Sequence, residues 1–224
     1  MKHIILDGNP AGSDYVISDV NGCLSVLTSL LNSVNFSSND RLFLVGNIID
    51  KGAHSKELID FTSADNIFPI LGSSELIMCM ALHPQASRST SELFMEQWDL
   101  HGGQWRHSLT KSELSRLYSI VSKWPLSVTV KGDSVFGMVH SEPPFDNWEQ
   151  FVSSELSYEV LNDATTGQTI LQGSRDGYIA GVDCVVCGHT QLARPPVIVG
   201  NCRFINHGIV IGRKAKIYKL EDLL

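Results

Sequence analysis

Along the chain, short apolar runs end in small polar clusters and alternate with segments of helical character. The runs at 14–19, 41–46 and 67–71 have strand length, and the segments at 22–31, 56–61 and 75–82 read as helices. This βαβαβ order predicts a mainly parallel sheet with helical crossovers. The stretch 87–124 reads as helical but less regular. It carries Trp98, Trp105 and Trp124, expected as core anchors, and a His101-Gly-Gly-Gln-Trp105 turn. Strand-like runs return at 126–131, 134–140, 183–187, 202–206 and 216–220, and Asp133 between the first two predicts a hairpin. A second sheet packed on the first is expected, giving a sandwich covered by helices. No repeat, low-complexity tract or linker breaks the pattern, so a single domain over 1–224 is expected.

Composition narrows the class. The chain has 224 residues, 43% of them hydrophobic, which suits one α/β domain with a full core and argues against disorder. The longest apolar runs are far short of a membrane span. The N-terminal apolar run is too short for a signal peptide and is interrupted by Asp7. A cytoplasmic protein with no membrane partner is expected. The net charge is −7 and no block of lysines or arginines stands out, so the footprint of a general nucleic-acid binder is missing. The five cysteines read as free thiols. Cys184 and Cys187 have CxxC spacing, but positions three apart on a strand face opposite sides, so packed core thiols are expected rather than a metal pair.

The candidate chemistry lies at the strand ends, in Ser18-Asp-Val-Asn-Gly22, Gly46-Asn-Ile-Ile-Asp-Lys-Gly52 and Gly72-Ser-Ser-Glu75. Ligands of open α/β sheets sit beyond the carboxyl ends of strands, so three polar loops converging there make a site. With Val139-His140 and Gly188-His-Thr190 further on, these blocks stand in the order of the family motifs GDxHG, GDxVDRG, GNHE, a strand-ending His, and GHT. The chain thus resembles the phosphoprotein (serine/threonine) phosphatase family of the calcineurin-like metallophosphoesterases, and most of all its small bacterial and bacteriophage lambda type. The resemblance covers nearly the whole chain, including His140-Ser-Glu-Pro-Pro-Phe-Asp146. It implies an α/β fold of two mixed β-sheets packed as a sandwich flanked by helices.

It also implies a two-metal hydrolase, in which paired ions activate a water and clamp the phosphate. Here the family's residues are only partly kept. Asp19 matches a metal-binding aspartate, and His140 and His189 match two ligand histidines. Asn21 stands for a ligand histidine, Asn47 for the bridging aspartate, Ser73 for a ligand asparagine and Ser74 for the leaving-group histidine. Asp50 matches the aspartate that orients that histidine and is left with nothing to orient. Lys51 replaces one phosphate-binding arginine, losing the planar fork, and Arg175 matches the other. Phe204-Ile-Asn-His-Gly208 stands where the family usually closes the site. His207 reads as an exposed loop histidine, with a replacement ligand as the alternative.

These losses point to a pseudophosphatase. It would hold a phosphorylated peptide or protein, or a small phosphate ligand, against Lys51 and Arg175 without turnover. The alternative is a weak or repurposed single-metal phosphoesterase acting on phosphoproteins or nucleotides. The expected cofactor is one divalent metal, manganese or zinc, or none. Asp19, Asn47, His140 and His189 are the candidate metal positions.

Overall fold

The computed structural model describes residues 3–224. Among the described residues, ten strands form two sheets. The first runs β10-β2-β3-β4, from Tyr218–Lys219 (β10), Asp14–Ile17 (β2), Arg41–Val45 (β3) and Ile67–Ile70 (β4). The second runs β1-β5-β6-β7-β9-β8, from His3–Asp7 (β1), Ser127–Lys131 (β5), Val135–Val139 (β6), Cys184–Cys187 (β7), Cys202–Phe204 (β9) and Val197–Val199 (β8). The helices are Leu24–Ser33 (α1), Ser55–Phe61 (α2), Ser73–Leu82 (α3), Arg88–Leu100 (α4), Lys111–Val121 (α5), Trp148–Ser153 (α6) and Tyr158–Thr166 (α7).

β2, β3 and β4 are the expected βαβαβ unit. They are parallel and joined by α1 and α2. β5 and β6 form the hairpin expected around Asp133. The sheets are mixed, as expected.

The termini depart from the sequence reading. The run at 216–220 joins the first sheet, antiparallel to β2, rather than the second. β1 joins the second sheet parallel to β5. The pattern did not mark β1, because Ile5 is exposed and breaks the alternation that Ile4 and Leu6 follow. Helices α6 and α7 were also unmarked.

Period-two alternation places the core. Val16, Phe43, Val45 and Ile70 of the first sheet meet Val128, Val130, Phe136, Met138, Cys184 and Val186 of the second. Tyr15, Ile17, Leu42 and Leu44 point the other way, under the helices. Strands covered on both faces carry continuous apolar runs such as Arg41-Leu-Phe-Leu-Val45. Cys184 lies between the sheets and Cys187 on the helix-covered face. All five thiols are free.

Candidate functional site

The carboxyl ends of β2, β3, β6 and β7 and the start of α3 deliver the site. The loops are cross-tied through their backbones. Asp19 N–H donates to the Gly46 carbonyl (3.0 Å), Asn21 N–H to Asn47 (2.8 Å) and Gly188 N–H to His140 (2.8 Å). Asp19, Asn21, Asn47, Asp50, Lys51 and His189 all adopt left-handed backbone, with φ of 47–73°. Asn35 is the one other such non-glycine among the described residues. Backbone strain of this kind clusters at functional sites, and asparagine tolerates it best. Gly46 is also left-handed (φ 68°), and a Cβ there would collide with the His140 ring.

Asn47 is the hub. Its Nδ2 donates to Asp19 Oδ1 (3.0 Å). Its Oδ1 accepts from Ser73 Oγ (3.0 Å) and from the Ser74 backbone N–H (3.0 Å). A backbone N–H can only donate and an ionised carboxylate can only accept, so the amide has one orientation. The second Asp19 oxygen accepts from the His189 backbone N–H (2.9 Å). Burial raises the Asp19 carboxyl to about 6, with the neighbouring His189 and these hydrogen bonds pulling it down.

Glu75, which the motif comparison left without a role, supports the hub. It is fully buried and accepts backbone N–H bonds from Gly72, Asn47, Ile48 and Ile49. Burial, helped by the neighbouring Asp50 charge, pushes its carboxyl up to about 7 against the Ile49, Gly72 and Ile48 donors. The signal that could have found it was its place at the end of the third strand-end block.

Asp50 has partners after all. Its Oδ1 accepts from Trp98 Nε1 (2.9 Å) and from Trp105 Nε1 (2.7 Å), so two of the expected core anchors are also donors. Trp98 and Trp124 are buried and Trp105 is half-buried. Burial raises the Asp50 carboxyl to about 6, with the two indoles and the Lys51 charge opposing.

The histidines face each other, ring centroids 5.2 Å apart. His140 Nδ1 donates to the Val45 carbonyl (2.9 Å), which leaves its buried Nε2 as a bare acceptor. His189 Nδ1 is likewise buried without a partner. Burial holds both rings down at about 4, so they are neutral near pH 7. Lys51 is exposed, and its positive charge acts on both rings. Arg175 is engaged elsewhere, donating through Nε to Asp146 (2.9 Å) and through Nη1 to the Pro143 carbonyl (2.8 Å). His207 is half-buried rather than exposed, and its Nε2 is bonded to the Tyr218 hydroxyl (2.7 Å).

The donor set does not fit a two-metal centre. One Asp19 oxygen faces an amide N–H where a cation would have to sit. The Asn47 oxygen is spent on α3. Among the described residues no three His, Cys, Asp or Glu side chains converge as a metal site requires.

The model of the calcineurin-like phosphoesterase family matches residues 15–192. The chain belongs to that family. The chain is 27% identical over 212 residues to serine/threonine-protein phosphatase 1 of Salmonella typhimurium, covering 92% of this chain and 91% of the relative. It is 35% identical over 86 residues to a symmetrical bis(5'-nucleosyl)-tetraphosphatase of Buchnera aphidicola, over 37% of this chain and 31% of that enzyme. A serine/threonine phosphatase structure from Saccharomyces cerevisiae superposes with a TM-score of 0.61 at 12% identity, over 92% of this chain and 70% of that one, which shows a shared fold. Family members usually bind divalent metals. In this chain the Asn47 carboxamide, which the motif comparison aligns with a metal-bridging aspartate, holds Asp19 through Nδ2 and the start of α3 through Oδ1.

Proposed function

We propose that this phosphoesterase-fold protein is a pseudophosphatase that binds rather than hydrolyses a phosphate-bearing ligand. One observation carries the reading: Asn47 Nδ2 donates into Asp19 Oδ1, placing a proton where a metal-bridging carboxylate would place negative charge. Two dications a few ångströms apart need that charge, and a neutral amide does not supply it. Ser74 cannot protonate a leaving group as a histidine does, which removes a further 10²–10⁴-fold, roughly, in rate. Lys51 supplies the cation for the phosphate, and Arg175 adds a second one by leaving Asp146.

The test is turnover of p-nitrophenyl phosphate with manganese. Wild-type protein is expected to be silent, and the quartet Asn21→His, Asn47→Asp, Ser73→Asn and Ser74→His is expected to gain activity. Manganese-dependent wild-type turnover that His189→Ala abolishes would sink the reading.

The second reading is a single-metal phosphoesterase. It is favoured by the two bare imidazole nitrogens of His140 and His189, which are soft enough for zinc or manganese. Zinc titration by calorimetry separates the two, since binding lost in His140→Gln supports the second reading alone.

A further inference from the structure

Two exposed surfaces are complementary in apolar area and charge. The first is a groove of about 400 Å³ between α1 and the segment at 213–215, with Val26, Leu30 and Ala215 as its apolar floor and Ser29 and Lys214 on its rim. Arg213, Lys214 and Lys216 are exposed, and among the described residues none of the three is in an ion pair. α1 carries no charged side chain, so nothing on it neutralises them. In a chain of net charge −7 this is a locally cationic groove.

The second surface is the outer face of α4. Leu93 is 54% exposed and Leu100 is 79% exposed, the most exposed large hydrophobic among the described residues. Glu96 lies between them on the same face, at the i, i+3, i+7 spacing by which an amphipathic helix anchors in a groove. Arg88 neutralises Glu92 and Arg106 holds Asp99, which leaves Glu96 as the free charge of the stripe. Two exposed leucines flanking one carboxylate match an apolar floor flanked by cations.

We propose that α4 of one copy docks in the α1/213–215 groove of a second copy, with Leu93 and Leu100 on the apolar floor and Glu96 against Lys214 and Arg213. The two patches differ, so the contact is head-to-tail, and each copy keeps one free groove and one free helix. Association therefore continues beyond a pair unless the rotation closes a ring. It weakens with added salt, because the charge pairing lies at a solvent-exposed rim.

Sedimentation velocity across a concentration series tests this. The wild-type weight-average mass is expected to rise above the 24.7 kDa of one chain. The groove variant Ser29→Glu/Lys214→Glu and the helix variant Leu93→Asp/Leu100→Asp are each expected to be monomeric. Mixed together they are expected to form a one-to-one dimer that grows no further, since one brings the intact helix and the other the intact groove. Wild type that stays monomeric throughout overturns the proposal, as does a monomeric mixture or either variant associating like wild type. The single exposed changes Lys214→Gln and Leu100→Gln must each weaken association at an unchanged melting temperature, so the result does not hinge on a variant that misfolds.

Discussion

At the scale of single residues, Asn47 ties three loops at once, and its replacement is the sharpest probe of the site. Asn47→Asp would exchange an N–H donor for a carboxylate 3.0 Å from Asp19 Oδ1, in a place nearly closed to solvent. Loss of the bond and like-charge repulsion are expected to cost about 2–3 kcal/mol in urea denaturation at neutral pH with chelator present. His140 gives the pH dependence. Its folded pKa of about 4 lies below the ordinary value near 6.5, so the neutral ring is what the fold stabilises. That contribution is complete above about pH 6.5 and is lost as pH falls from there toward 4. The stability gap between wild type and His140→Gln is expected to narrow by about 2 kcal/mol between pH 7 and 4.5. A gap that stays constant would mean that folding does not depress the His140 pKa below its ordinary value.

At the scale of elements, the helical insertion is anchored to the β3 loop through Asp50. Trp98 from α4 and Trp105 from the turn after it donate to the same oxygen, and the Lys51 N–H bonds to the Gly102 carbonyl beside them (3.1 Å). Trp98→Phe removes one donor from a buried carboxylate and is expected to cost about 2–3 kcal/mol in chemical denaturation, with Trp105→Phe costing less because that ring is half-buried. Both changes together are expected to cost more than the sum, since Asp50 Oδ1 is then left with no indole donor. This anchor was not legible in the chain, because the indoles lie 48 and 55 residues from Asp50 and no local pattern links them. The strand-end loops were legible, since each ends an apolar run with its own polar block. The sandwich was legible too, because a second series of strand-like runs returns after residue 124 and needs a sheet of its own. The partners of Arg175 were hidden for the same reason as the indoles: Asp146 is 29 residues away, on a loop whose path only the folded chain defines. β10 was misplaced because an apolar run states that it is a strand, not which sheet it joins.

At the scale of the whole molecule, the question is what holds the two sheets in register where related enzymes place metal ions. The inter-sheet core runs from Val16 and Phe43 to Met138 and Val186 and ends beneath the site loops. Above it the Asp19–Asn47–Ser73–Ser74 chain of hydrogen bonds links the β2 and β3 loops to α3, and the Asp19–His189 bond carries it into the second sheet. On the proposed reading these protein hydrogen bonds, rather than an ion, hold the loops together. A bound ion would add RT ln(1 + [L]/Kd), about 2.7 kcal/mol at a hundredfold excess over Kd, which moves the melting temperature of a chain this size by several degrees. Excess EDTA is therefore expected to leave the wild-type melting temperature unchanged in differential scanning fluorimetry. The quartet Asn21→His, Asn47→Asp, Ser73→Asn and Ser74→His is expected to start lower and to rise by several degrees on adding manganese, because its carboxylates then lack both the amide donor and a cation. A wild-type transition that falls in EDTA and recovers with manganese would instead show that an ion, not Asn47, holds these loops together.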